Sequence, residues 1–191
     1  MAISKKFYSK QGLWNLFLVC ALPIHLWAFF LGLRDLDWIT ARTNFWDAIG
    51  VLSYGLIFAF IESLAVFLAA AVLGSLVSGK WDEKKRITLM GALFIILPFW
   101  SMINQAYFLR GASPSSLVVE FFTGISRPLV ALYAVMLFLV GLSFLLPTFF
   151  ILRSNKIEQA LQNGFERLST LMGLYLFFDV IALIIIIVRN L

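Results

Sequence analysis

Charged residues, histidine and cysteine are all scarce in this 191-residue chain. Lysine, arginine, aspartate and glutamate make up only 13% of it, against about 25% in soluble domains. A soluble domain of this length could not bury every helix on all sides, so the shortage of charge excludes a soluble fold. The single cysteine, Cys20, excludes an intrachain disulfide and a thiolate metal cluster. The single histidine, His25, excludes a haem held by two histidines.

Sequence motifs of common catalytic sites are also missing. The chain contains no HExxH, no P-loop, no GxSxG and no GxGxxG. These absences argue against a soluble-type catalytic centre, so we predict no catalytic residue. Since no spacing typical of metal ligands occurs either, we predict no metal site and no cofactor.

Five long apolar stretches occupy most of the chain. Each has the roughly 20 residues that a helix needs to cross about 30 Å of hydrocarbon. The stretches therefore predict an all-α, polytopic integral membrane protein with five transmembrane helices in a single membrane domain over residues 1–191. They lie at about 13–33, 48–77, 87–109, 128–152 and 168–188.

Two connecting segments have the patterns of short interfacial helices in the loops. Ser113 and Pro114 form an N-cap and first-turn pair, and Gly124 can end the helix that they start. In the segment 154–164, apolar residues recur every four positions from Ile157. This spacing predicts one short amphipathic helix before the fifth span.

Lysine and arginine are shared unevenly between the two sides of the predicted bundle. Ten lie on the side of the N-terminus and five on the other side. By the positive-inside rule, the bias predicts an N-terminus in the cytoplasm and a C-terminus outside. We expect the membrane to be the plasma membrane. No patch interleaves basic residues with exposed aromatic ones, so the net charge of +5 predicts no nucleic-acid partner. The ten are Lys5, Lys6, Lys10, Lys80, Lys84, Lys85, Arg86, Arg153, Lys156 and Arg167; the five are Arg34, Arg42, Arg110, Arg127 and Arg189.

Three of the apolar stretches contain one ionisable residue near the middle: His25, Glu62 and Asp179. An ionised carboxylate at the bilayer centre costs about 2.5–3.5 kcal/mol or more, so such groups face protein or water, or stay protonated. Tyr175 lies one helical turn before Asp179 and could share a hydrogen bond with it. If their faces converge, these four residues form a midplane polar centre suited to proton or cation passage. The alternative is that each group only hydrogen-bonds a neighbouring helix.

Small residues surround Glu62 on its predicted helix. Gly55, Ala59, Ala65 and Ala69 lie on or beside the same face. Small residues let helices approach closely, so this pattern predicts that the Glu62 face packs against a neighbouring helix. A larger side chain at Ala65 or Ala69 should then destabilise the fold.

Polar residues also gather near the outer ends of the predicted spans. Together with Glu120, the acidic ones would be the candidates for catalysis if the protein acted on a lipid. The candidate outer-face polar cluster comprises Asp35, Asp37, Asp47, Asn104 and Gln105.

The order of five spans, with the N-terminus inside and the C-terminus outside, resembles the membrane half of lipoteichoic-acid-synthase-like sulfatases. In that family an outer catalytic domain follows the fifth span. The resemblance lies in the topology and not in a sequence motif, so it implies no functional residue. Because the chain stops three residues after Val188, we expect that catalytic domain to be absent from it.

The small size and the missing motifs favour a non-enzymatic membrane subunit or scaffold. Its expected partners are the lipid bilayer and either another protein or a second copy of the chain. The first alternative is a small transporter or proton-coupled carrier that uses the midplane polar centre. The second is a lipid-acting membrane enzyme, or the membrane half of a lipoteichoic-acid-synthase-like sulfatase system.

Overall fold

The computed structural model describes residues 8–77, 81–109, 111 and 115–191, and these residues form helices and connections without any strand. Every helix except α4 is long and apolar enough to cross a membrane, which confirms the predicted all-α class with five long apolar helices. The helices are α1 (Lys10–Thr40), α2 (Phe45–Leu76), α3 (Glu83–Leu109), α4 (Ser116–Thr123), α5 (Pro128–Arg153) and α6 (Asn155–Asn190).

Each predicted apolar stretch falls within one long helix, apart from Val77, which follows the last residue of α2. The start of α2 is fixed by a reciprocal cap. Asn44 accepts a hydrogen bond from the backbone N–H of Asp47 at 2.8 Å and donates one to its carboxylate, also at 2.8 Å. Such a cap satisfies a backbone donor that the first helical turn leaves unpaired.

The short helix α4 confirms one of the two predicted loop helices. Its N-cap is Ser115, whose side chain accepts a hydrogen bond from the backbone N–H of Val118. The predicted cap, Ser113 with Pro114, lies outside the described residues. Gly124 is the C-cap, as the sequence predicts.

The second predicted loop helix, over residues 154–164, does not exist as a separate element. It is the first part of α6, which begins after Ser154 and continues through Gly164 to Asn190. A single glycine costs a helix only about 1 kcal/mol, and the packing here offsets that cost. Leu161 and Phe165 both contact the core, so the amphipathic face continues into the packed face of the second part of α6.

The first helix, α1, lies at the centre of the bundle and packs on α2, α3 and α6. Leu16 and Cys20 of α1 are fully buried in a cluster with Ala70, Met90 and Ile151 of three other helices. Where lipid surrounds a bundle, close packing of this kind holds helices together, because lipid tails are as apolar as the core.

We call the end of the bundle where α1, α3 and α6 begin the basic end. There Glu83 of α3 accepts hydrogen bonds from the backbone N–H and the hydroxyl of Ser9, both at 2.7 Å. Lys85 of α3 lies 3.8 Å from the carboxylate of Glu158 on α6. These contacts join the starts of three helices.

At the opposite end, Arg189 near the end of α6 binds the start of α2. Its guanidinium pairs with the carboxylate of Asp47 and donates to the carbonyl of Trp46 at 2.7 Å. Gly50 leaves room for this contact, since a Cβ there would lie 2.5 Å from the guanidinium. The last helix is thus joined to α3 at its beginning and to α2 at its end.

The small-residue face of α2 that packs is not the face that carries Glu62. Ala59, Ser63 and Ala70 are buried, whereas Ala65 and Ala69 are exposed. The buried residues follow the four- and seven-residue spacing of one helix face, and α2 turns that face to α1 and α6. The prediction that Ala65 and Ala69 mediate close helix packing is therefore wrong.

Candidate functional site

His25 of α1 and Asp179 of α6 meet inside the bundle. The imidazole Nε2 lies 3.0 Å from one carboxylate oxygen of Asp179 and 3.2 Å from the other. His25 is 0% exposed and Asp179 is 6% exposed. The structure thus brings together two of the three ionisable residues that the sequence places in the middle of spans.

The contact of the other imidazole nitrogen, Nδ1, shows where the protons of the pair lie. Nδ1 of His25 lies 2.9 Å from the backbone carbonyl of Ala21. A carbonyl only accepts, so Nδ1 carries a hydrogen and donates it. One further proton then lies between Nε2 and Asp179, held either as imidazolium with carboxylate or as imidazole with carboxylic acid. Without that proton, the lone pair of Nε2 would face a carboxylate and the contact would be lost.

Ser63 of α2 and Tyr175 of α6 complete the surroundings of the pair. The Ser63 hydroxyl donates to the carbonyl of Ala59 at 2.6 Å and lies 3.4 Å from His25 Nδ1. The ring of Tyr175 stacks on the imidazole, with centroids 5.9 Å apart and planes at 29°. Among the described residues, Tyr175 makes no hydrogen bond to Asp179, so its predicted role is replaced by a ring contact.

Glu62 does not join the pair, although it is the neighbour of Ser63. Successive helical residues are turned by about 100°, so burying Ser63 against His25 turns Glu62 away. Glu62 is exposed and lines a groove between α1, α2 and α3. No residue in the described part of the chain forms a hydrogen bond or an ion pair with its carboxylate.

The groove has a volume of about 730 Å³ and mostly apolar walls. Its lining residues fall within 24–39 of α1, 51–66 of α2 and 97–105 of α3. At 1.5 Å per residue, the walls on α1 and α2 are about 22 Å long. Because the residues nearest the opposite end of the bundle include Ile39 and Val51, the groove runs from that end towards the middle.

Two residues of the predicted outer-face cluster line this groove. Asp35 is held by Arg34 through two hydrogen bonds of 2.7 and 3.0 Å. Gln105 of α3 accepts a 2.6 Å hydrogen bond from the indole N–H of Trp27 on α1. The second bond bridges two walls of the groove and fixes the orientation of the Trp27 ring.

The other three residues of the cluster do not line the groove. Asp47 is paired with Arg189 on the side of α2 that meets α6. Asp37 and Asn104 are exposed elsewhere. The predicted outer-face residues therefore do not form one polar site, because their helices place them on different sides of the bundle.

The arrangement offers an enclosed His–Asp pair and an open carboxylate. Within the ranges that the structure describes, no group of three or more histidine, cysteine or acidic side chains could hold a metal ion. Since Glu62 faces away, His25 and Asp179 supply only two ligands between them.

Sequence reasoning missed Ser63 and Trp27. Ser63 follows Ala59 by four residues and precedes Ala70 by seven, so it belongs to the buried stripe of α2. The sequence would predict this stripe as the packed face only if the Glu62 face were assumed to be exposed. Trp27 looked like one of several aromatic residues in an apolar span, and its bond to Gln105 could not be foreseen from either residue alone.

Comparison with known proteins adds no further assignment to these two sites. The resemblance in span order to lipoteichoic-acid-synthase-like sulfatases remains an expectation from topology. No protein-family model, curated protein or solved structure matches the chain.

Proposed function

We propose that this chain is a small, proton-coupled membrane carrier in the plasma membrane. The groove would hold the cargo and the His25–Asp179 pair would hold the coupled proton. The observation that carries the proposal is that both sites share the same two helices, one residue apart. Ile24 and Glu62 line the groove. Their neighbours face the enclosed pair: His25 belongs to it, and Ser63 lies 3.4 Å from the His25 ring.

This arrangement supports a mechanical link between the two sites. Cargo in the groove contacts α1 and α2, the helices that also surround the imidazole. Loss of the shared proton would break the contact of His25 with Asp179, which joins α1 to α6. A carrier needs this property, because cargo can shift an equilibrium only if it binds two arrangements with different affinity.

The charge bias supports an orientation for the carrier. With the basic end in the cytoplasm, the N-terminus lies inside and the C-terminus outside. The groove then opens at the outer half of the bilayer and reaches Glu62 near its middle. Cargo would enter from the lipid or from the outer surface.

Proton movement in vesicles tests the proposal. The purified chain in liposomes with a trapped pH dye is given tetraphenylphosphonium, tetraphenylborate or triphenylphosphine oxide, which are cationic, anionic and neutral amphiphiles. We expect one of them to drive proton movement beyond that of protein-free liposomes. Glu62→Gln and Asp179→Asn should abolish this movement, while Glu120→Gln on α4 should leave it unchanged. No protein-dependent movement with any of the three probes would contradict the carrier function.

The second candidate is the non-enzymatic subunit or scaffold that the sequence favours. The observation that supports it is the enclosure of the pair, which suits a permanent helix contact, together with the sparse packing of α5. Ile151 is the buried residue of that helix, and a 2.8 Å bond from the Trp100 indole to Ser143 joins it to α3. A partner protein or a second copy could cover the rest.

Amide and leucine variants separate this candidate from the carrier. In a scaffold, Glu62→Gln and Asp179→Asn would be silent in every transport assay, since a neutral amide still bonds a neighbouring helix. Asp179→Leu would instead weaken the assembly that co-purifies with the native chain. For a lipid-acting enzyme, the dispersed positions of Asp35, Asp37 and Asp47 provide no shared site.

A further inference from the structure

We infer that the groove takes an organic monocation with apolar or aromatic substituents, its charge at Glu62 and its body along the walls of α1 and α2. This inference builds on the proposed carrier by naming the class of its cargo. It follows from the charge balance of the groove, the nature of its walls and its size.

The charge balance of the groove favours a single positive charge. Glu62 and Asp35 are the titratable residues that line it, from α2 and α1 respectively. The Asp35 carboxylate is already neutralised by the bidentate contact with Arg34. Glu62 has no such partner among the described residues, so one carboxylate remains to be matched by an occupant.

The walls of the groove favour an apolar body with aromatic character. Trp27 is held in place by Gln105 and by Phe30, whose ring stacks on it with centroids 5.2 Å apart. Phe58 lies one turn before Glu62 on α2, is 65% exposed and also lines the groove. Aromatic faces next to a carboxylate recognise organic cations in a water-poor site.

The size of the groove suits a small molecule. Its volume of about 730 Å³ lies within the usual range of ligand sites, about 300–1,000 Å³. Gly55 leaves open space towards the groove, since a Cβ there would meet no atom within 4 Å. An anionic lipid would bring negative charge to Glu62, and a divalent metal would lack ligands in the described residues.

Equilibrium binding to the purified chain in a nonionic detergent tests the inference. We expect saturable binding of tetraphenylphosphonium and none of neutral triphenylphosphine oxide. Glu62→Gln should weaken binding of the cation by roughly tenfold or more, because it removes a charge in a water-poor site. The control variant Glu120→Gln removes a carboxylate outside the groove and should bind as the wild type does.

A steric variant keeps the test valid if Glu62→Gln folds poorly. Gly55→Leu should fill the groove while leaving the carboxylate in place, and it should also weaken binding. Equal binding by wild type and Glu62→Gln, equal binding of the neutral probe, or no saturable binding would each overturn the inference. The last result would also be expected if a partner helix were the true occupant of the groove.

Failure of this inference can be told apart from failure of the carrier function. If the anionic or neutral probe drives proton movement in liposomes while the cation does not bind, the carrier stands and the cargo class is wrong. If the cation binds at Glu62 but no probe drives proton movement, the site stands and the carrier function is wrong.

Discussion

Two acidic residues in the middle of long helices, Asp179 and Glu62, have opposite environments in this protein. Asp179 is enclosed, bonded to His25 and surrounded by α1, α2 and α6. Glu62 is open to a groove and has no partner among the described residues. Ser63, the neighbour of Glu62, touches the imidazole that holds Asp179. Glu62 and Ser63 are adjacent on α2 and point in directions about 100° apart. One therefore faces the open site and the other the enclosed site.

The difference shows what each site requires from its surroundings. In a buried pair each polar group bonds the other, so the pair needs no bound molecule to satisfy its hydrogen bonds. A carboxylate facing a groove among apolar helices needs a donor or a cation from elsewhere, or must stay protonated. In the proposed carrier, the enclosed site would hold the proton and join α1 to α6, and the open site would take the cargo.

The largest expected effect comes from removing one partner of the enclosed pair. Asp179→Leu should lower the free energy of unfolding by about 3 kcal/mol or more, because the buried imidazole of His25 is left without its partner. Asp179→Asn should cost less, since the amide can still donate to Nε2. Unfolding in detergent, followed by circular dichroism, measures both changes.

Glu62→Leu is the matched control for that prediction. It removes the carboxylate of the open site and should leave the free energy of unfolding unchanged or raise it. Equal losses of stability for Asp179→Leu and Glu62→Leu would mean that the two carboxylates are not differently placed.

A smaller effect is expected when the two faces of α2 are enlarged in turn. Ser63→Leu should cost about 1–3 kcal/mol, because it adds volume to a fully packed contact with His25. Ala65→Leu should be close to neutral, since Ala65 is exposed and lines the groove. Thermal unfolding of both variants provides the comparison, and a greater loss for Ala65→Leu would restore the packing predicted from the sequence.

The ion pair at the opposite end of the bundle should matter less. The side chains of Asp47 and Arg189 are 34% and 27% exposed, and pairs that solvent can reach contribute about 1 kcal/mol or less. We expect Asp47→Asn to lower the unfolding free energy by no more than this amount, and less at high salt. Measurements at low and high ionic strength check the prediction; a loss as large as that of Asp179→Leu would contradict it.

Reporter fusions should leave both sites intact and show to which side the groove opens. The distribution of basic residues, ten against five, predicts cytoplasmic signals at Lys84 and Ser154 and an outer signal after Leu191. A cytoplasmic signal after Leu191 would contradict the predicted orientation, and the groove would then open towards the cytoplasm.

The long helices were predictable because apolar length is a local property of the sequence. The end of α4 at Gly124 was equally local. The continuation of α6 through Gly164 was not, because it depends on Leu161 and Phe165 finding a core made by other helices. The meeting of His25 with Asp179 likewise depends on how two distant helices rotate, which one sequence does not reveal.

The error at Ala65 and Ala69 has the same origin. Small residues occur on two sides of α2, and the sequence pattern alone did not tell which side packs. The structure selects the side of Ser63, where the imidazole provides a polar contact. The groove lies on the other side, where Gly55 and Ala65 line it.

Carbodiimide labelling tests most directly the claim that Glu62 is open and Asp179 enclosed. Dicyclohexylcarbodiimide is apolar, enters the bilayer and adds to protonated carboxyl groups. Mass spectrometry of the digested, membrane-embedded protein locates the adduct. We predict an adduct on Glu62 that tetraphenylphosphonium suppresses, with Asp179 unmodified. Modification of Asp179 to the same extent as Glu62, or an unreactive Glu62, would contradict the account.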